Sequence, residues 1–163
     1  MINPVEIDVL IGEGFEGYLE EDWLRSIAKR VLIAQEVNSE TELGLVIASQ
    51  ERIQQLNRDY LGHDRPTDVI AFSLLPESSV GEDLPSFVPP PDGVSHLGEV
   101  IISYPQAVVQ AEEQGHSIKR EITILIIHGI LHLLGYEDEK PELKRQMEAR
   151  EQEILSYIEG EKT

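Results

Sequence analysis

The sequence predicts an α+β domain, a small mixed four-stranded sheet packed with about five helices. Three observations predict it. Strand-like and helix-like patterns alternate through the first part of the chain, in the order strand, helix, strand, helix, strand, strand, and only helical patterns follow. The 163 residues, 40% hydrophobic and 27% charged, suffice for one core and leave little for a second, so residues 1–163 read as a single domain. Cysteine is absent, which excludes a disulfide framework, a thiolate metal site and a cysteine nucleophile together.

Val5 to Ile11 alternates apolar and acidic residues, the period of a half-buried strand. Gly12-Glu13-Gly14 breaks it. From Glu20 to Val37, Trp23, Leu24, Ile27, Val31 and Ala34 recur at helical spacing, with acids leading and Lys29-Arg30 later, as the helix dipole prefers. Leu43 to Ala48 is the second strand. Ser49 then caps a helix through Tyr60 with an inner stripe of Ile53, Leu56 and Tyr60. Val69 to Leu75, rich in β-branched and aromatic residues, is the third strand. Residues 76–95 hold five of the nine prolines and show no periodicity, which marks a functional loop, a lid or a surface insertion. Leu97 to Ser103 is the fourth strand. Ser103 caps the next helix and Gly115 ends it; Ser117 caps the one after, which runs through Ile122 to Leu134 and stops at Gly135. Pro141 opens the last helix, which buries Leu143, Met147, Ile154 and Ile158.

Asp and Glu number 31 against 13 Lys and Arg, a formal net charge of −18. That balance argues against a non-specific polyanion binder, whose affinity comes from neutralising phosphates. The longest apolar stretch, Ile122 to Tyr136, contains two histidines and is too short to span a bilayer, so no membrane partner is expected. The first residues lack the basic start and apolar block of a secretory signal, and a cytoplasmic location is the expectation.

The chemistry concentrates in residues 128–138. His128 and His132 stand one helical turn apart on one face, a spacing that lets two imidazoles meet one metal ion. Gly135 turns the chain at the helix end, and Asp138 follows three residues later as a third ligand. Three protein ligands leave the fourth position to water, the catalytic arrangement. The competing reading is a pair of core histidines, but burying each imidazole without a partner costs ~1–3 kcal/mol, and the spacing His-x3-His-x2-Gly-x2-Asp favours the metal. Metalloproteases with this ligand spacing carry a glutamate directly after the first histidine as general base. Here that position is Gly129, so peptide hydrolysis is disfavoured.

The run His-Gly-Ile-Leu-His-Leu-Leu-Gly-Tyr at 128–136 resembles the signature of the YbeY family of rRNA maturation factors, single-strand-directed metal-dependent endoribonucleases. Residues 56–72, with Asn57, Tyr60 and Pro66-Thr67-Asp68-Val69, are similar to a second family block, and Leu97 to Ser103 to a third; Glu121 also matches. The resemblance covers roughly residues 45 to 155. It implies a zincin-like metal site on a buried helix and a Zn²⁺ ion, one per chain, held by His128, His132 and Asp138, with other divalent metals admissible. It also implies action on single-stranded RNA in rRNA 3′-end maturation and ribosome quality control, with the ribosome or ribosome-associated proteins as partners.

Two positions depart from the family pattern. The family motif ends in a histidine where this chain has Asp138, whose carboxylate also binds Zn²⁺ and admits harder metals such as Mn²⁺; Glu137 is the alternative ligand. Leu61 stands where the family has an arginine, so a guanidinium at the site has to come from elsewhere in the same loop. Arg65 is the candidate catalytic residue, with Arg58 and His63 as candidate substrate contacts. Lys119 and Arg120, beside His116, form the most basic short segment and are further candidates for phosphate contact. Glu121 is the candidate to accept a ring N–H from a ligand histidine and fix its tautomer. The missing arginine and missing base leave a second reading open, a zinc-stabilised ribosome-assembly factor that binds without cutting.

Overall fold

The computed structural model describes residues 5–37, 40–61, 68–73, 95–136 and 140–160. Within them the chain forms β1 (Val5–Ile11), α1 (Glu21–Ala34), β2 (Thr41–Ala48), α2 (Gln50–Leu61), β3 (Val69–Ser73), β4 (Ser95–Ser103), α3 (Tyr104–Gln114), α4 (Ile118–Leu133) and α5 (Pro141–Gly160). The alternation read in β1 is realised, with Val5 and Ile7 buried and Glu6 and Asp8 exposed. The serine caps also hold: Ser49, Ser103 and Ser117 accept from the backbone N–H groups of Arg52, Gln106 and Arg120. Except for Ser95, which opens β4 two residues before the expected start, the proline-rich stretch lies outside the described residues.

The strands lie in the order β1-β2-β4-β3. β1, β2 and β4 run parallel, and β3 runs antiparallel to β4 along one edge, so the sheet is mixed as expected. β4 carries one residue more than β2 at the Glu42/Leu43 step, and Gly98 takes a φ of +135° there. This bulge puts both Leu97 and Val100 into the main core although they are three positions apart.

That core lies on one face of the sheet. Leu43, Leu45 and Ile47 of β2 and Val100 and Ile102 of β4 pack against Leu24, Ile27, Val31 and Leu32 of α1 and the long apolar surface of α4. On the opposite face, Ile53 and Leu56 of α2 cover Ala48, Ile70 and Ile101. α5 closes the α4 side through Met147, Ile154, Leu155 and Ile158; Leu143, expected with them, is half-buried. Arg150 ties α5 to the end of α1, donating through Nη2 to the Ala34 carbonyl at 2.7 Å and through Nε to the Gln35 side-chain oxygen. No basic residue of α1 itself sits in its last turn, so α5 supplies the cation that the dipole favours. Among the described residues no helix is long and apolar enough to cross a membrane.

α4 is the central element, touching α1, α3, α5, β3 and β4. At Gly129 it comes so close to the sheet that a Cβ would lie 2.6 Å from Cγ1 of Val100. The glycine is a packing requirement, which also means that the metalloprotease glutamate has no room at this position.

Candidate metal centre

α4 is buried on most sides, and its half-exposed strip is Ile124, His128 and His132, at helical spacing. The His128 side chain retains 31% of its exposure. The two histidines therefore face a solvent-accessible side rather than filling the core, which removes the reading of two buried core imidazoles.

Their rings meet edge to face, centroids 4.6 Å apart at an interplanar angle of 79°, and the two Nε2 atoms stand 3.1 Å apart. Behind His128, Glu151 of α5 places Oε2 2.5 Å from Nδ1. With Nδ1 facing that carboxylate, Nε2 is the ring nitrogen on the side of the second imidazole. Two nitrogens bound at 2.0–2.1 Å to one tetrahedral ion would lie about 3.3–3.4 Å apart. The observed separation is close to that value, and imidazole nitrogen with carboxylate behind it suits Zn²⁺ and related divalent ions. The residues fit a metal. Among the described residues no group of three His, Cys, Asp or Glu side chains completes such a site.

The helix ends as the sequence requires. Gly135 adopts φ +106°, Tyr136 N–H bonds the Leu131 carbonyl at 3.0 Å and Gly135 N–H bonds that of His132 at 3.1 Å, the paired bonds of a Schellman turn. Tyr136 packs back against the core and anchors the turn. Glu137 and Asp138, expected to supply the third ligand, lie outside the described residues, as do His63 and Arg65.

The remaining candidates are placed elsewhere. Glu121, expected to fix a ligand histidine, is two turns and ~10 Å along the axis from His128, beyond hydrogen-bond reach. It is buried, and its Oε1 lies 2.7 Å from Nε2 of His116 at the end of α3. The carboxylate on His128 is instead Glu151, which sequence reasoning passed over. Its signal was available: Met147, Glu151, Ile154 and Ile158 follow one helical stripe, and Glu151 is the charged member of an otherwise apolar row. Lys119 and Arg120, candidates for phosphate contact, lie at the opposite end of α4 from His132, ~18 Å along the helix. Lys119 Nζ sits 5.2 Å above the Trp23 ring, and Arg120 Nε lies 3.0 Å from Glu159 Oε2, so both support the fold away from the histidines. Arg58 lies on α2, across the sheet from α4, with Nε 3.4 Å from Asp59 Oδ1. At the start of α3, burial and the stacked Tyr18 raise the Tyr104 hydroxyl above the usual phenol range.

Comparison with known proteins identifies the family. The model of the family described as Endoribonuclease YbeY matches residues 16–159. The chain is 41% identical over 159 residues to Endoribonuclease YbeY of Dehalococcoides mccartyi strain CBDB1, covering 97% of this chain and 96% of that protein. It is 39% identical over 157 residues to Endoribonuclease YbeY of Moorella thermoacetica, covering 96% and 95%. The solution structure of a Thermotoga maritima protein superposes with a TM-score of 0.61 at 27% identity, covering 95% of this chain and 90% of that one. A match over nearly the whole chain, on a fold that brings the two signature histidines nitrogen to nitrogen, has one meaning: the chain belongs to the Endoribonuclease YbeY family.

Proposed function

We propose that the chain is a metal-dependent endoribonuclease that cuts single-stranded RNA in rRNA 3′-end maturation and ribosome quality control. It holds one Zn²⁺ through His128, His132 and Asp138 and works in the cytoplasm. The observation that carries this reading is the convergence of two Nε2 atoms, 3.1 Å apart, on the exposed strip of an otherwise buried helix. Bound there, the ion supplies Lewis-acid polarisation of a phosphoryl oxygen and a more acidic water. The chain's own residues present and orient the donors: α4 spaces the imidazoles, and the turn at Gly135 ends the helix just after them. Gly129 contributes no base, because its position is filled by Val100. Arg65 takes the guanidinium role that Leu61 cannot, and His63 assists RNA contact. With a net charge of −18, affinity for RNA comes largely from the ribosome or proteins bound to it.

The test is cleavage of a single-stranded RNA by the purified full chain with graded Zn²⁺. Cleavage abolished by chelator and by His132→Ala supports the proposal. Stoichiometric metal and RNA binding without cleavage supports instead the zinc-stabilised assembly factor, which Leu61 and the absent base at Gly129 favour. In the same assay Asp138→Asn weakens metal binding and lowers activity, and Leu61→Arg raises activity if the guanidinium is limiting. Casein is not digested.

A further inference from the structure

Glu151 is an anomaly on its helix. It occupies the inward row of α5 with Met147, Ile154 and Ile158, where an apolar residue would add to the core. A carboxylate that retains only 16% of its exposure is unfavourable there unless something compensates it. The compensation is His128 Nδ1, 2.5 Å from Oε2. The position of α5 is itself held by the neighbouring Arg150, clamped to the Ala34 carbonyl and the Gln35 side chain at the end of α1. The carboxylate is thus delivered to the imidazole by a fixed helix rather than by a mobile surface chain.

We propose that Glu151 is the positioning residue of the metal centre, an inference that rests on the metal reading above. By accepting the Nδ1 proton of His128, it selects the tautomer whose Nε2 carries the lone pair and locks the ring with that lone pair turned toward His132. Its negative charge also makes the imidazole a stronger donor to a cation. Nothing in this role requires Glu151 to touch substrate or metal.

The experiment uses the full chain and two readouts. Nitrogen-15 histidine NMR of the metal-free protein reports the His128 tautomer, and competition with a chelating dye reports Zn²⁺ affinity. The expected results are an Nδ1–H tautomer in the wild type, a tautomer mixture in Glu151→Ala, and a 10–100-fold loss of Zn²⁺ affinity in that variant. Glu151→Gln keeps an oxygen acceptor without the charge, so it retains the Nδ1–H tautomer and loses less affinity than Glu151→Ala; it also serves if the alanine variant fails to fold. A wild-type Nε2–H tautomer, or Zn²⁺ affinity unchanged in Glu151→Ala, overturns the inference while leaving the metal reading intact. A wild-type chain that takes up no Zn²⁺ overturns the metal reading and this inference with it.

Discussion

At each end of α4 an imidazole meets a glutamate, but through a different ring nitrogen. His116, just before the helix, offers Nε2 to Glu121 at 2.7 Å, and both side chains are largely withdrawn from solvent. His128, in the second half, offers Nδ1 to Glu151 at 2.5 Å and keeps Nε2 for the direction of His132. The first pair uses the outer nitrogen of the ring and becomes a fastening between α3 and α4. The second uses the inner nitrogen and leaves the outer one, half-exposed, on the side of His132. The same two residue types therefore meet through opposite ring nitrogens, and the second pair sits beside another imidazole.

The comparison breaks most completely at His128 and His132. Replacing either with alanine removes a direct donor, so Zn²⁺ affinity falls by more than the ~10–100-fold expected for an outer partner. The melting temperature of the metal-free chain changes little in His132→Ala and falls in His128→Ala, which leaves the Glu151 carboxylate without this partner. Titration against a competing chelator checks this; unchanged affinity in both variants ends the functional reading of that end. Gly129, between the two ends, tests how tightly α4 is held. Gly129→Ala drives a methyl into Val100 and destabilises the fold by about 2–3 kcal/mol in urea unfolding, partly recovered by Val100→Ala in the same chain. His116→Ala sharpens the contrast from the other side. It leaves the buried Glu121 carboxylate without this partner, at ~1–2 kcal/mol of stability, with Zn²⁺ affinity unaltered. Lys119→Ala is the smallest effect, ~0.5–1 kcal/mol from the lost contact with Trp23. Because Lys119 belongs to the structural end, the salt dependence of RNA binding does not change in that variant; a slope reduced by about one would return it to the RNA surface.

Most local signals hold where one segment suffices, with Leu143 of α5 the exception. The alternation in β1, the serine caps, the left-handed glycines at 115 and 135 and the turn-spaced histidines each follow from a few adjacent residues. The errors concern partners on different elements. Glu121 was matched to His128 because both lie on one face of one helix, whereas its partner is His116, across the turn between helices. Glu151 is 23 residues from His128, and only the packing of α5 beside α4 brings them together. The bulge at Gly98 was equally hidden, since it exists only by register with β2.

By itself the sequence determined the elements, their caps and the one-turn spacing of two imidazoles, because backbone geometry and side-chain period are set within a few residues. The family signature is legible there too. Only the tertiary structure decided which face of α4 meets solvent, why position 129 admits no side chain, and which of two glutamates stands behind His128. Those are distances between helices, fixed by how apolar surfaces pack against the sheet and by Arg150 holding α5 to α1. No pattern along a single element carries that information.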